Sequence, residues 1–248
     1  MPLRFPPAEY PSLLCGLNKA SPKLRQEWSQ LLGEDERILD IGACIGTTVQ
    51  RFYSILNGRC YIWAFEPIPR NFKLLEINSR ALGSDQIYLF NSSVGNYDGE
   101  TVFADNLDHG GLSRIAATIS ASRRPSCWSK CTEIKVKMIT LDTFLNNHPD
   151  VCPTFVKIDV EGAGALVLRG AKNMLEQYKP VISCEFHSSG EDDEQMGISQ
   201  IMEETGYRGI IFSGDGRFCL CATKDSKGTF IHPSDSRLGR LNVTSWPD

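Results

Sequence analysis

"VKIDVEGAGALVLRGA" runs from Val156 to Ala171. Lys157, Asp159 and Glu161 alternate with Ile158 and Val160, and the chain then turns at Gly162 into a helix-like stretch. The near-continuous apolar character of "VKIDV", and of "VISCEF" at 181–186, fits central strands buried on both faces. A buried strand tipped with two carboxylates presents them to something. Strand, glycine turn and helix in that order form the repeating unit of a parallel α/β sheet.

The same unit recurs upstream. "RILDIGACIG" at 37–46 is a short apolar run closing on glycines, and a helical pattern follows over Thr47 to Leu56. "CYIWAFEP" is a second β-rich run, stopped by Pro67 and Pro69. Asn71 to Leu82 is helical, and "QIYLFNSSVG" is a third strand ended by a Ser/Gly cluster. Residues 96–132 show little periodicity and read as a lid or insertion with one short strand at Thr101 to Ala104. "TEIKVKMI" alternates, "TFVKIDVEG" is a strand, and one helix is expected from Ala163 to about Tyr178. "PVISCEFH", a helix over Gln195 to Thr205, "RGIIF" and its antiparallel partner "RFCLCATK" complete the series. In open sheets of this kind ligands lie beyond the carboxyl ends of the strands. That places Asp40 to Gly46, Glu66, Ser92 to Gly95, Asp159 to Gly162 and Glu185 to His187 on one rim.

The 248 residues suffice for one large α/β domain. A net charge of -4 excludes a global basic field for a nucleic-acid backbone. Arg123, Arg124 and Lys130 read as a solvated loop. The nine cysteines are scattered without a zinc-binding spacing, so they read as reduced thiols of a reducing compartment. Prolines stand where a signal peptide would be apolar, and no stretch is long enough to span a membrane. The expected location is cytoplasmic, with no membrane partner.

"DIGACIG" spaces Gly42 and Gly46 as G-x-x-x-G rather than G-x-G-x-x-G, which argues against a pyrophosphate cradle. Asp40 beside the turn suits a cationic or hydroxyl-rich ligand. Glu66 ends the second strand, where an acid can accept hydrogen bonds from both ribose hydroxyls. Together they suggest an adenosine ligand ending in a charged amino acid, and S-adenosyl-L-methionine fits.

The blocks "LDIGACIG", "FEPIPRNFKLLEIN", "ITLDTFL", "VKIDVEGAGALVLRGA" and "PVISCEFH" together resemble the FkbM-type methyltransferases. The resemblance implies a Rossmann-like class I methyltransferase fold: a mostly parallel seven-stranded sheet, helices on both faces and an antiparallel final strand. It implies an S-adenosylmethionine-dependent O-methyltransferase acting on a small-molecule hydroxyl, foremost a sugar or glycoside. Asp40, Gly42, Ala43, Gly46, Glu66 and Ser93 are the candidate cofactor residues, with Gly42 and its neighbours toward the methionine part and Glu66 toward the ribose. The expected organisation is an N-terminal helical lead over 1–34, packed on a methyltransferase domain over 35–224, and an irregular tail over 225–248. Two departures stand out. Cys44 replaces the family's usual Asn, and Gly164 replaces the second acid of E-G-x-E.

Methyl transfer to an alcohol needs alignment and a group to take the hydroxyl proton. His187 is the first candidate base, because its ordinary pKa suits proton transfer near neutrality. Asp159 is a base or orienting group, and Glu161 is either a third catalytic acid or a cap on the following helix. With Glu185 these groups also offer ligands for Mg²⁺ or Mn²⁺, an alternative that the spacing does not favour. Two rival functions follow from the residues. One is a weak or inactive S-adenosylmethionine-binding module, favoured by Cys44 and Gly164. The other is a nucleic-acid methyltransferase, disfavoured by "DVEG" where an Asn/Asp-Pro-Pro-Tyr/Phe motif would stand. Monomer and homodimer both remain open.

Overall fold

A computed structural model describes residues 28, 32–106, 114–115, 131–185, 192–207, 209–212, 218–224 and 230–231. Three parallel strands begin the chain's main sheet: β1 (Glu36–Ile41), β2 (Cys60–Phe65) and β3 (Ile87–Phe90). Helices α1 (Thr47–Ile55) and α2 (Pro69–Arg80) connect them. The chain returns to the other side of β1 with β8 (Phe155–Ile158), followed by α4 (Gly164–Arg169), α5 (Lys172–Tyr178) and parallel β9 (Val181–Glu185). Then come α6 (Asp192–Glu204), β10 (Gly209–Phe212) and β11 (Phe218–Lys224). β11 lies between β9 and β10 and runs antiparallel to both. The sheet order is therefore β10-β11-β9-β8-β1-β2-β3, five strands of it mutually parallel. This is the Rossmann-like methyltransferase architecture expected from the sequence.

The central strands are apolar on both faces, as the unbroken runs required. On one face Leu39, Ile41, Phe65, Val156, Ile158 and Ile182 pack with Leu168, Leu175 and Met202 from the helices. On the other, Ile38, Ile62, Ala64, Phe155 and Val181 meet Val49, Phe52 and Leu75. Trp28 is helical and buried against Phe52, and its indole Nε1 donates to Ser183 Oγ at 3.2 Å. The remainder of the expected lead, 1–27, lies outside the described residues.

Three elements differ from the sequence reading. The strand expected at Thr101 to Ala104 is the middle of β5 (Gly99–Asn106), which pairs antiparallel with β7 (Cys131–Ile139) over eight positions, Gly99↔Met138 to Asn106↔Cys131. With β4 (Ser93–Val94) and β6 (Arg114–Ile115) they form a second sheet, ordered β4-β7-β5-β6. The partners are about thirty residues apart, so local periodicity showed β7 but not what it paired with. The basic residues Arg123, Arg124 and Lys130 lie outside the described residues. In the expected irregular tail, β12 (Phe230–Ile231) pairs with β11.

The single helix expected from 163 to 178 is two. Gly170 ends α4 where a Cβ would lie 2.0 Å from the Gly95 carbonyl oxygen. The Gly170 carbonyl accepts from Asp142 N–H at 3.0 Å, on α3 (Leu141–Asn147). The Asp142 carboxylate then accepts from Asn173 and Met174 N–H at 3.1 and 2.9 Å, capping the first turn of α5. Close backbone approach and a tertiary cap together override the helical pattern.

The sheet reverses its direction of winding between β1 and β8, and their tips stay in close contact there. Asp159 N–H donates to the Ile41 carbonyl at 3.0 Å. Gly42 turns away at φ 79°, and a Cβ on it would stand 2.0 Å from the Asp159 carbonyl oxygen. Gly83 has a similar φ of 67° but open space around it. Gly83→Ala should therefore cost only the left-handed strain, about 1–2 kcal/mol. Gly42→Ala should add a clash of about 1–3 kcal/mol to a similar strain. Urea denaturation of the two variants measures the difference; equal losses would mean that the two tips can part without cost.

Candidate functional site

Gly42 opens the turn after β1 and Gly46 closes it, with φ of 79° and 92°. Cys44 between them also adopts a positive φ, 51°, a conformation that suits Asn better than most residues. Gly42 and Ala43 N–H both point at the Phe65 carbonyl, at 3.0 Å each, which ties the turn to the end of β2. Gly46 lies against Leu75 of α2, where an added Cβ would be 3.0 Å from its Cδ1.

Glu66 is 4% exposed and sits directly under this turn. Its Oε2 accepts from Cys44 N–H and its Oε1 from Ile68 N–H, both at 2.9 Å, and Asn71 Nδ2 is 3.4 Å away. Sequence reasoning took Glu66 for a ligand acid alone; it also braces the loop, because two buried amides need an acceptor. Burial raises its carboxyl to about 7, against the lowering effect of those hydrogen bonds. Burial first, and the neighbouring Glu66 charge second, also push the Cys44 thiol well up. The thiol stays neutral and is a poor nucleophile. Ser93 is buried at the start of β4, and its hydroxyl donates to the Lys137 carbonyl at 2.9 Å.

Asp40 is fully buried with its side chain turned inward rather than to the crevice. Its Oδ2 accepts from the Thr48 hydroxyl, and its Oδ1 lies 3.1 Å from Lys157 Nζ. Lys157 is 1% exposed, and a lysine buried inside an apolar strand needs an acid beside it. Its Nζ donates to the Gly42 carbonyl at 2.8 Å and reaches Asp159 Oδ2 at 3.6 Å. Burial alone would lower the Lys157 pKa, but the Asp40, Asp159 and Glu185 carboxylates outweigh it and hold the ammonium above the ordinary lysine value.

Beyond Lys157 the β8 tip turns outward. The Asp159 side chain is 33% exposed. Glu161 and Gly162 take positive φ of 51° and 93°, which swings the chain into α4. Glu161 stands before Ala163, the residue at the α4 N-terminus, and the first turn of α4 itself carries no acid. One carboxylate oxygen each from Asp159, Glu161 and Glu185 lie within 4.8 Å of one another. Three anions this close either share a proton or attract a cation or a set of hydroxyl donors. Glu185 is the site residue the sequence ranked too low: it ends the strand next to β8, and strand adjacency was the available signal. His187 lies outside the described residues.

The second sheet stands over this rim. Phe103, Val136 and Met138 pack on Ile68, next to the Glu66 loop, and on Ala163, with Val160 and Leu166 against them. Arg70 of α2 reaches Asp105 of β5 at 2.6 Å. The expected lid thus includes a β-sheet docked through an apolar seam, between the loop after β2 and the turn after β8.

Glu66 titration can be read directly. Its pKa is 4.5 ordinarily and about 7 when folded, so the folded state holds the extra proton between those values. The stability this contributes is present at low pH and lost as pH rises through about 7. Relative to Glu66→Gln, the ligand-free wild type should lose melting temperature between about pH 5 and pH 8. A constant difference across that window would show that Glu66 is ionised throughout.

Residues 40–208 match the methyltransferase FkbM domain. Among solved structures, FkbM methyltransferase from Methylobacillus flagellatus KT is similar at 18% identity and TM-score 0.52, over 81% of this chain and 50% of that one. The chain thus spans half the length of that protein. Aeropyrum pernix fibrillarin, solved with natively bound S-adenosyl-L-methionine, is 14% identical at TM-score 0.44, over 76% of this chain and 66% of that one. No curated protein matches. Among the described residues no helix is long and apolar enough to cross a membrane. With the domain match covering more than half of its length, the chain belongs to the FkbM methyltransferase domain family.

Proposed function

We propose that the protein is an S-adenosylmethionine-dependent O-methyltransferase whose acceptor is a hydroxyl of a small molecule, foremost a sugar or glycoside. One observation carries the reading. At the β1–β8 switch point a glycine turn braced by Glu66 lies beside a cluster of three carboxylates, two partly exposed and one, Glu185, buried. Such a crevice is where open α/β sheets bind ligands.

The residues fit the donor. The Cys44 and Ile68 amides are already taken by Glu66, so this turn suits a hydroxyl-rich ligand better than a phosphate. The backbone of Gly42, Ala43 and Gly46 would hold the methionine part, with Asp40 fixing the turn from below and Glu66 offering its remaining lone pairs to the ribose. Ser93 would stand at the adenosine side. When bound, S-adenosylmethionine supplies an electrophilic methyl group on sulfonium. The carboxylates do the rest. Asp159 accepts the proton of the acceptor hydroxyl, while Glu161 and Glu185 accept hydrogen bonds from neighbouring hydroxyls and so orient the reacting oxygen. His187, two residues beyond Glu185, is the alternative base. The same three acids could instead hold Mg²⁺ or Mn²⁺, which would lower the acceptor's pKa. The small-molecule acceptor and the reduced cysteines agree with a cytoplasmic enzyme.

Two measurements test the reading. S-adenosylmethionine and S-adenosylhomocysteine should each raise the melting temperature, by about 2.7 kcal/mol of stability at a hundredfold excess over Kd, and NAD should not. Absence of heat and of thermal shift at millimolar ligand would remove the donor assignment. Next, methyl-labelled donor is incubated with a panel of deoxysugars, nucleotide sugars and glycosides. With the acceptor found, Asp159→Asn should lower kcat by about 10²–10⁴-fold while the protein still folds. Full activity in that variant, with and without EDTA, would take the β8 tip out of the mechanism. Loss of wild-type activity in EDTA, restored by Mg²⁺, would favour the metal route. Donor binding with no transfer to any acceptor would favour a binding module.

A further inference from the structure

Lys157 is a buried cation with more partners than one strand needs. Its ammonium meets four groups at once: the Gly42 carbonyl at 2.8 Å, Asp40 Oδ1 at 3.1 Å, the Ile41 carbonyl at 3.5 Å and Asp159 Oδ2 at 3.6 Å. Gly42 opens the turn after β1 and Asp40 lies in β1 just before it; Asp159 is a partly exposed member of the acidic cluster. Asp40 Oδ1 has no hydrogen-bond partner of good geometry among the described residues, so the lysine's charge is what compensates its burial. The Gly42 carbonyl is equally dependent, because the turn bends its amide toward Phe65 and leaves the oxygen pointing inward.

We propose that Lys157 is a positioning residue that couples the two halves of the site, holding the glycine turn and the Asp159 carboxylate in one fixed register. The inference rests on the methyltransferase reading above, and extends it to a residue outside the crevice. The physical reason is geometric. The Asp159 side chain is 33% exposed, and the turn holds Cys44 at a positive φ between two glycines. Both lie at strand tips, at the edge of the packed core. A cation wholly excluded from water interacts with both through a low-dielectric interior, where its attractions are strong and directional. Moving Asp159 therefore shifts Lys157, and shifting Lys157 moves the Gly42 carbonyl. The backbone contact between the tips makes the pathway short: Asp159 N–H donates to Ile41 at 3.0 Å, one residue before Gly42.

A merely structural lysine would stabilise the fold without transmitting anything between the two tips. The distinguishing measurement is a coupling cycle read by ligand binding. S-adenosylhomocysteine is the probe, because it lacks the sulfonium charge and reports the turn rather than direct attraction to a carboxylate. Lys157→Met alone strands a buried Asp40 carboxylate and is liable to unfold. The background is therefore the double variant Asp40→Asn with Lys157→Met, which removes charge from both partners. Titration calorimetry then gives Kd for four proteins: wild type, Asp159→Asn, the double variant, and all three changes together. In the wild-type background Asp159→Asn should weaken binding about fivefold; in the double variant it should change Kd by less than about 1.5-fold. The same factor in both backgrounds, or no effect of Asp159→Asn in either, would overturn the coupling while leaving the donor assignment intact. Failure of the wild type itself to bind S-adenosylhomocysteine would overturn both. If the double variant does not fold, Lys157→Arg replaces it in the cycle. The longer guanidinium keeps the charge but cannot keep all of these contacts, and a persisting fivefold effect there would again overturn the proposal.

Discussion

The ammonium of Lys157 is the point on which the site's geometry turns. At the tips of β1 and β8 backbone carbonyls and buried acids crowd together. Here one charge stands among two carbonyls and two carboxylates. An ion pair so deep contributes little net stability compared with apolar residues of the same volume, because its desolvation offsets the attraction. What it contributes is uniqueness: an apolar side chain in its place could not tell one arrangement of the Gly42 carbonyl from another. The fold places this expense at its ligand crevice and keeps the rest of the β1–β8 contact apolar, with Leu39, Ile41, Val156 and Ile158 fully buried.

Glu66 repeats the logic one strand over. Its carboxylate is buried to satisfy two loop amides, and burial lifts its pKa into the neutral range. A loop built on a buried acid is stiff, since both amides lose their partner if the turn opens. Strain adds to this. Cys44 holds a positive φ between Gly42 and Gly46, a conformation costly for a residue with a side chain. The turn after β1 is thus braced from the end of β2 by Glu66 and from β8 by Lys157.

The sheet was legible because its strands are buried on both faces, so "RILDI", "CYIWAF", "FVKI" and "VISCE" read as unbroken apolar runs. The rim was legible from the topology: an acid that ends such a run stands at the carboxyl end of its strand, where open α/β sheets place their ligands. The pairing of Lys157 could be anticipated because a lysine inside an apolar strand requires an acid. What escaped depends on contacts between distant residues. β5 and β7 pair across a long excursion, and neither strand alone shows the partnership. The break between α4 and α5 is set by Gly95 approaching Gly170, which no helical periodicity records. The inward turn of Asp40 and the brace on Glu66 are invisible for the same reason. An acid at a strand tip looks alike whether it faces a ligand or a backbone amide.

The second sheet changes how the acceptor side should be understood. A flexible lid would encode specificity in a loop that orders on binding. The seam of Phe103, Val136 and Met138 on Ile68 and Ala163 instead buries large apolar side chains, so this part of the roof is packed as part of the fold. It touches the chain two residues after Glu66 on one side and two residues after Glu161 on the other, so the seam joins the two loops that flank the carboxylate cluster. On the methyl-transfer reading proposed above, an acceptor would enter between these walls, its shape selected against the β5–β7 sheet and its hydroxyls by the three carboxylates. For that reading, packed walls and a braced turn would serve one end: aligning an oxygen with a methyl group costs little at the moment of reaction when the groups that align them are ordered during folding.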